Sequence, residues 1–151
     1  MIGQSIKVIF KHGVASGDPT QDKVILWTRV TPNRPGNIKV TLEVATTKDF
    51  QNIVFQRDLY TNPTKDYTVK YDFKAGEFFE QGKSFYYRFH VNHIYSETGR
   101  SQTFPKGNTS FACLSCSNFP TGFFNAYEAC SKENIDSVSY THLTLPTILR
   151  V

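Results

Sequence analysis

The stretch Phe85-Tyr86-Tyr87-Arg88-Phe89-His90-Val91 alternates large apolar side chains with polar or amphipathic ones without a break. Side chains two residues apart lie on the same face of a β-strand, so one face of this stretch is apolar: Phe85, Tyr87, Phe89 and Val91. The alternation predicts a strand with one face buried and the other in water. The same pattern recurs at Ile38–Val44 and at Tyr67–Phe73.

Further strands are predicted on both sides of these three. Lys23–Val30 is a more continuous apolar run rich in β-forming residues, which suits a strand buried on both faces. Weaker strands are expected near three other stretches: Phe10 to Val14, Asn52 to Asp58 and Gly99 to Phe104. Segments rich in Gly, Pro, Asn and Asp separate the strands and predict turns. About seven short strands favour a mainly β fold, an antiparallel β-sandwich of the immunoglobulin or fibronectin type III kind.

Two kinds of aromatic residue in this sandwich have predicted structural roles. We expect Trp27, the one tryptophan of the chain, to anchor the sandwich core from an early strand. Tyr86 or Tyr87, just after the turn at Gly82, is expected to make the hydrogen bond of a tyrosine corner. Both roles are structural, so neither side chain is predicted to bind a ligand.

The pattern changes after Pro105-Lys106-Gly107-Asn108. Beyond it the sequence predicts, in order, a short apolar strand, a loop and a helix with apolar residues at helical spacing: Ser110–Ser115, Cys116–Gly122 and Phe123 to about Asn134. A strand, a loop and a helix in this order open an α/β unit. We therefore predict a domain boundary near Pro105 to Asn108, and the roughly 40 residues beyond it are too few for a complete α/β domain.

Composition and charge exclude some classes of protein. The chain has 151 residues, 39% of them hydrophobic, and a formal net charge of +4. Its Lys and Arg residues are scattered, whereas a nucleic-acid-binding surface needs them clustered, so no nucleic-acid-specific site is predicted. No run approaches the roughly 18 apolar residues of a transmembrane segment, and none is predicted. The first residues lack the apolar core of a signal peptide, which indicates either an intracellular protein or an export segment missing from this sequence.

The three cysteines, Cys113, Cys116 and Cys130, all lie in the last third of the chain. Cys113 and Cys116 form a Cys-x-x-Cys pair, which could be a redox pair or half of a zinc site. We expect Cys113 to be buried within its strand, and neither Cys130 nor His142 lies at the usual spacing for the missing zinc ligands. Cys116 falls at the C-terminal tip of the strand, where open α/β sheets place ligands. It is therefore either a metal-binding or nucleophilic thiolate or an inert buried thiol.

Two other short patterns have ordinary structural explanations. His90 and His93 would point to opposite faces of a strand, so they would not converge on a metal ion. We expect both to be surface histidines, one on the polar face of its strand and the other in the following turn. Ser16-Gly17-Asp18 is similar to a catalytic serine turn, but no helix follows, so we predict a turn capped by Asp18.

One set of motifs is distinctive when its members are taken together. They are His12–Thr20, Val24–Arg29, Phe85–Phe89, Gly99–Pro105, Ser115–Asn118 and Gly122–Tyr127. In this order the motifs resemble the PhoD-like alkaline phosphatase/phosphodiesterase family over roughly residues 10–138. The resemblance implies a β-sandwich followed by a calcineurin-like metallophosphatase domain that hydrolyses phosphate mono- and diesters.

The same resemblance implies a metal site. In this family the catalytic domain opens with a strand that ends in Ser-Cys, and the cysteine is a ligand of the active-site iron, with calcium ions nearby. By resemblance that ligand is Cys116, while Cys113 occupies an ordinary strand position. A ferric ion held by a thiolate, a tyrosinate and carboxylates would suit attack of an activated water on phosphorus. The family is typically secreted, which implies a secreted, periplasmic or cell-surface parent enzyme.

Residues 139–151 depart from the family pattern. At this point the family continues into a Gly-Asp-Tyr metal motif, which this sequence does not contain, and no ligand role is carried over to Tyr140 or His142. The resemblance therefore implies a β-sandwich domain over residues 1–107 and the start of the metallophosphatase domain over residues 108–138. We expect residues 139–151 to be a tail of foreign or out-of-frame sequence on a truncated reading frame. The fragment is expected to have no phosphatase activity and to bind no iron or calcium by itself.

Two other functions remain open from the sequence. The first is a free-standing fibronectin type III-like binding or adhesion module. Such a module would bury the helix face of Phe123, Tyr127 and Cys130 on the sandwich, whereas an incomplete α/β unit would leave it exposed. The second is a thiol redox protein, which would need a reversible disulfide between Cys113 and Cys116.

Overall fold

The computed structural model describes residues 6–115, 123 and 125–140. The strands up to residue 101 are β1 (Val8–Ile9), β2 (Val14–Gly17), β3 (Val24–Arg29), β4 (Thr31–Pro32), β5 (Ile38–Ala45), β6 (Ile53–Thr61), β7 (Thr68–Phe73), β8 (Phe85–Val91), β9 (Ile94–Tyr95) and β10 (Gly99–Ser101). They are followed by β11 (Phe111–Leu114), α1 (Asn125–Lys132) and β12 (Ser137–Tyr140). Among the described residues, no helix is long and apolar enough to cross a membrane.

The chain divides into two compact units, residues 1–106 and residues 107–151. In the first unit β10, β8, β5 and β6 form a sheet in that order, and β9 adds a fifth strand beside β8. A three-stranded sheet has the order β2-β3-β7, and β1 pairs with β4. The pairings described in this unit are antiparallel. In the second unit β11 and β12 pair in parallel.

The alternation that predicted the central strands is confirmed in the first unit. Along β8 every second side chain is buried, from Phe85 to Val91. β7 begins at Thr68, one residue later than predicted, and keeps the alternation. β5 lies where it was predicted, but its outward face is not in water: Thr41 and Glu43 are buried as well, because side chains of the neighbouring strands bond to them. The inward faces of the two larger sheets share one hydrophobic core, which includes Leu26, Val40, Leu42, Phe73 and Phe89. The protein is therefore mainly β, as predicted, while its assignment to the immunoglobulin or fibronectin type III kind stays a prediction.

Trp27 is not part of this core, contrary to the prediction. β3 alternates between buried and half-buried residues instead of being buried on both faces. Leu26 and Thr28 are buried, whereas Trp27 lies half-buried on the opposite face, with Ala15 and Lys70 as its partners on β2 and β7. β3 is the middle strand of a sheet that has one face on the core, so a continuous apolar run does not put both of its faces in the interior.

The three weaker strands are present with different boundaries. The first of them, β2, begins only at Val14, because the residues before it form a turn in which Gly13 has a φ of +63°. β6 extends beyond the predicted end at Asp58 to Thr61. β10 ends at Ser101.

The segment after β10 leaves the sheet and joins two loops. The Gly82 amide donates a hydrogen bond to Oγ1 of Thr103 at 2.8 Å, and the Phe104 amide donates to the carbonyl oxygen of Thr20 at 2.8 Å. Gly82 has a φ of +79°, and a Cβ at this position would lie 2.8 Å from Cα of Pro105. The close approach and the left-handed conformation both require glycine there.

Tyr87 connects the core to β2. Its side chain is 2% exposed, and its hydroxyl hydrogen-bonds to the side chain of Ser16. Burial raises the pKa of Tyr87 to about 12, against an opposing effect of the Ser16 hydrogen bond. The contact differs from the predicted tyrosine corner, in which the hydroxyl bonds to the backbone a few residues upstream. Tyr86, the other candidate, is half-buried on the opposite face of β8.

Replacing Gly99 tests the packing around Tyr87. Gly99 stands opposite Tyr87 in the β8–β10 register, and a Cβ there would overlap the Tyr87 ring. Because the ring is buried and bonded to Ser16, it cannot move aside freely. We expect Gly99→Ala to lower the free energy of unfolding by about 1–3 kcal/mol, measured by urea denaturation.

The matched control is Gly17→Ala on β2. A Cβ at Gly17 would meet no atom within 4 Å, and its φ is not in the left-handed region. We expect this variant to unfold within about 0.5 kcal/mol of the parent. If both variants lose the same free energy of unfolding, overlap with the Tyr87 ring is not what destabilises Gly99→Ala.

Replacing Tyr87 by Phe tests whether titration of the buried Tyr87 phenol lowers the stability of the protein at high pH. Because the pKa in the folded protein is raised, the buried phenol contributes stability that is fully present below pH 10 and is lost as the pH rises through about 12. Because Tyr87→Phe removes the hydrogen bond to Ser16, we expect its free energy of unfolding at neutral pH to be about 1 kcal/mol lower than that of the parent. Between pH 10 and 12 we expect the free energy of unfolding of this variant to fall less than that of the parent. Denaturation at a series of pH values measures both, with Tyr60→Phe as an exposed control. An unchanged alkaline slope in Tyr87→Phe would contradict the assignment.

Candidate functional site

The predicted metal ligand, Cys116, lies outside the described residues. The strand before it, β11, ends at Leu114 and pairs in parallel with β12. α1 lies between these two strands in the chain, so the described part of the second unit has the strand-helix-strand order of an α/β unit. The position of Cys116 in the chain follows the carboxyl end of a parallel strand, and ligands of α/β sheets bind at such ends.

Asp136, the residue before β12, and Ser110, the residue before β11, are joined by a pair of hydrogen bonds. The Ser110 amide donates to Oδ2 of Asp136 at 2.9 Å, and the Asp136 amide donates to the carbonyl oxygen of Ser110 at 3.0 Å. β12 continues through Ser139 and Tyr140, the first two residues of the tail that was predicted to lie outside the family pattern. Residues 141–151 lie outside the described part of the chain.

Cys113 is exposed, contrary to the prediction of burial. It lies in β11 as expected, but it shares an exposed face with Phe111, whereas Ala112 and Leu114 are half-buried. Cys130 is half-buried, and Cys113 and Cys130 are free thiols. In the part of the chain that the structure describes, no three His, Cys, Asp or Glu side chains could together hold a metal ion. The described residues alone therefore do not form the metal site that the resemblance implies.

The helix is shorter than predicted. It covers Asn125–Lys132 instead of Phe123 to about Asn134. Phe123 lies before the helix and is 92% exposed, whereas Tyr127 and Cys130 are half-buried. The three residues that were expected to form one helix face thus differ in their exposure.

His12 and Arg29, from two of the distinctive motifs, meet beside Asp66. Arg29 donates to both carboxylate oxygens of Asp66, from Nε at 3.2 Å and from Nη2 at 2.8 Å, in the forked geometry that makes Arg–carboxylate pairs strong. Nη1 of Arg29 lies 2.8 Å from Nε2 of His12, which accepts this hydrogen bond because a guanidinium only donates. The hydrogen bond from Arg29 lowers the pKa of Asp66, and Asp66 raises the pKa of Arg29. The cluster holds the turn before β2, the end of β3 and the turn before β7 together.

The turn after β2 is capped by Thr20 and not by Asp18. Ser16 lies within β2 and hydrogen-bonds to Tyr87, so its role is structural. Asp18 follows the strand with a φ of 51°. The Lys23 amide donates to Oγ1 of Thr20 at 3.0 Å, which closes the turn.

The outward face of the five-stranded sheet carries a buried carboxylate, Glu43, which is 6% exposed. Nε of Arg88 donates to Oε2 of Glu43 at 2.8 Å, and the two residues are opposite each other on β8 and β5. The guanidinium carbon of Arg88 lies 4.0 Å from the ring centre of Phe50 and 4.4 Å from that of Tyr95. Each such cation–π contact is worth about 0.5–2 kcal/mol. The loop after β5 and strand β9 are thereby held against the sheet.

His90 belongs to the same cluster, contrary to the expectation of an ordinary surface histidine. Its Nδ1 donates to the carbonyl oxygen of Asn92 at 2.9 Å, since a carbonyl oxygen only accepts. Its Nε2 lies 3.4 Å from Oε1 of Glu43, and its ring centre lies 5.0 Å from that of Tyr95. Contact with these neighbours leaves the His90 side chain 15% exposed. His93 is exposed in the turn after β8, as predicted.

The pairing of Glu43 with Arg88 was not predicted from the sequence. A signal was present, because both stand at polar positions of strongly alternating stretches and carry opposite charges. Their contact depends on β5 pairing with β8 in one particular register. Local alternation sets which residues share a face but not which strand lies alongside.

Comparison with known proteins supports the resemblance given by the motifs. The model of a family described as "PhoD-like phosphatase, N-terminal domain" matches residues 3–105. Alkaline phosphatase D of Bacillus subtilis (strain 168) is 34% identical over 142 residues, which cover 85% of this chain and 24% of that protein. A solved structure of PhoD matches with a TM-score of 0.79 and 33% identity, and covers 87% of this chain and 27% of that chain. This chain thus spans about a quarter of the length of either relative.

The matches agree with the fold and with the motifs. The family model includes both motifs that meet at Asp66, and it ends beside Lys106, the last residue of the first unit. The resemblance inferred from the sequence is therefore confirmed. Since the family model covers more than half of its residues, this chain belongs to the PhoD-like phosphatase family and contains the N-terminal domain of that family.

Proposed function

We propose that this protein serves the hydrolysis of phosphate mono- and diesters, as the N-terminal part of a metal-dependent PhoD-like phosphatase. The observation that carries the proposal is the similarity to alkaline phosphatase D, which extends over 85% of this chain. A match of that extent cannot be confined to residues 3–105, so it includes part of the second unit. The comparisons do not favour a free-standing binding or adhesion module, because the curated relative is an alkaline phosphatase about four times as long as the matched part of this chain.

The proposal includes Cys116 as one ligand of the metal centre. A thiolate is a suitable ligand for iron and other transition metals. The support comes from the position of Cys116 after the carboxyl end of β11, in a strand-helix-strand unit with a parallel pair. Cys113 lies within that strand and is not proposed as a ligand.

The domain organisation belongs to the same proposal. We assign residues 1–107 to a fibronectin type III-like sandwich and residues 108–138 to the opening of the metallophosphatase domain, with residues 139–151 outside the family pattern. The resemblance also implies that the intact enzyme acts outside the cytoplasm, as a secreted, periplasmic or cell-surface protein.

A chimeric enzyme tests the metal ligand and the activity together. Residues 3–138 of this chain would replace the matching segment of Bacillus subtilis alkaline phosphatase D. We expect the chimera to bind iron and to cleave a chromogenic phosphodiester. Cys116→Ser removes the thiolate, so we expect iron content and cleavage rate to fall, the rate by at least about 100-fold, since even outer-shell partners of a metal contribute 10–100-fold.

Cys113→Ser in the same chimera is the matched control. It exchanges the same atom on a neighbouring cysteine, and we expect iron content and rate to stay within about twofold of the parent chimera. Full iron content in Cys116→Ser would remove Cys116 from the ligand set. A chimera that folds and binds iron but cleaves no phosphoester would contradict the proposed function itself.

A further inference from the structure

β6 (Ile53–Thr61) is an edge strand of the five-stranded sheet, and in the part of the chain that the structure describes β5 is its only partner strand. With nine residues it is the longest of the described strands. An edge strand presents a row of N–H and C=O groups to which a strand of another chain can add. A long edge of this kind is where association between chains has to be either used or prevented.

The hydrogen bonds of β8 determine which residues of β6 face the outer edge. The Phe89 amide donates to Oγ of Ser96 at 2.9 Å, and the Phe89 carbonyl oxygen accepts from the Ser96 amide at 2.8 Å, so the Phe89 backbone faces away from β5. Because backbone groups alternate between the two sides of a strand, the residues before and after Phe89 face β5, where Glu43 and Thr41 stand opposite them. Glu43 and Thr41 therefore bond to β8, and the residues opposite them on β6 face the outer edge.

Those two residues of β6 are Gln56 and Asp58, and their N–H and C=O groups form the open part of the edge. The next residue in the same alternation is Tyr60, whose carbonyl oxygen accepts a hydrogen bond from Nζ of Lys65 at 3.3 Å. Lys65 thus covers the end of the edge. The part that stays open lies on both sides of Arg57.

Arg57 occupies a core-facing position in the middle of this edge. It stands opposite Leu42, which is buried, and two residues from Phe55 and Leu59, which pack against the core. The Arg57 side chain is nevertheless exposed, and among the described residues it forms no ion pair. An arginine can cover apolar surface with its stem and keep its guanidinium in water, so Arg57 can lie at the rim of the core without a partner.

The alternation of faces limits how two copies could pair along β6. A register has to keep the core-facing residues of both copies on one side, because a shift by one residue would turn the core face of one copy outwards. Antiparallel pairing about a twofold axis at Arg57 meets this condition. Gln56 of each copy then pairs with Asp58 of the other through the open backbone groups, and Phe55 stands opposite Leu59. Arg57 stands opposite itself.

Charge opposes pairing in this register. Arg57 and its copy would form a non-hydrogen-bonded pair, in which the two Cα atoms lie about 4.5 Å apart. Like charges directly opposite each other destabilise paired strands. A shift by two residues in one direction sets Asp58 opposite itself, and a shift in the other direction brings in Val54, where a bulge interrupts the strand. The longest registers are therefore closed by charge or by the bulge.

We propose that the β6 edge is a pairing surface for a second copy of this chain and that Arg57 keeps it closed. The open backbone groups and the facing Phe55 and Leu59 side chains suit a twofold strand pair, whereas the charge at its centre opposes it. A twofold pair uses the β6 edge of both copies, so the product is a closed dimer and not a filament. This surface does not include Cys116 and is independent of the proposed function.

Arg57→Val in the full chain tests the proposal. It removes the charge and completes an apolar row with Phe55 and Leu59, so sedimentation should show a dimer of about twice the mass of the parent. The Gln56 and Asp58 amides become hydrogen-bonded across the dimer, so their exchange with deuterated water should slow at least about tenfold. An unchanged mass would overturn the proposal, and so would a dimer in which both amides exchange as fast as in the parent.

Arg100→Val is the matched control variant. Arg100 is also an exposed arginine, on β10 at the opposite edge of the same sheet, but it stands opposite Tyr86 on the outward face. The substitution makes the same change in charge and size. We expect the mass of the parent and an exchange rate at Gln56 and Asp58 within about twofold of it. A dimer of Arg100→Val with the same slowed amides would show a general effect of lost surface charge and overturn the proposal.

Two further variants separate charge from shape and locate the surface. Arg57→Lys keeps the charge, so we expect the mass and the amide exchange of the parent. Gln56→Pro added to Arg57→Val removes one of the bonding amides at a position where an edge strand tolerates proline, so we expect the dimer to be lost. A dimer of Arg57→Lys would show that charge does not close the edge, and a dimer that survives Gln56→Pro would use another surface. Either result would overturn the proposal.

Discussion

A carboxylate that has been taken out of water must keep a cation beside it, and for Glu43 that cation is Arg88, at 2.8 Å. Removing one partner of a buried ion pair costs about 3–5 kcal/mol, so the pair fixes the register of β5 against β8. The same guanidinium stacks on Phe50 and Tyr95, which ties a loop and a short strand to the sheet. A lysine could not hold the carboxylate and present a planar group to two rings at the same time.

The opposite face of the same strand organises the interior. Tyr87 follows the core side of β8 between Phe85 and Phe89, and its ring occupies the space that Gly99 leaves open. Its hydroxyl reaches Ser16 on β2, in the other large sheet. One strand thus joins an ion-pair cluster on its outer side to the contact between the two sheets on its inner side.

Much of this arrangement could be predicted from local patterns, and the failures have a common cause. Alternation correctly assigned Phe85–Val91 to a strand with one buried face. The exposure of Trp27, His90 and Cys113 was predicted wrongly, because it depends on which face of a strand another element covers, and that is a property of the tertiary fold. The role of Cys116 came from a family resemblance, since spacing alone left it open between a ligand and an inert thiol.

The hydrogen bonds around Phe104 have a consequence for how the protein is made. Phe104 bonds to Thr20, and Thr103 bonds to Gly82, so the first unit is closed by contacts between residues far apart in the chain. Contacts of this kind form late, because the intervening chain must be present and its loop closed first. During synthesis, the turn between β2 and β3 therefore gains its hydrogen bond from Phe104 only after the segment around Phe104 has emerged from the ribosome.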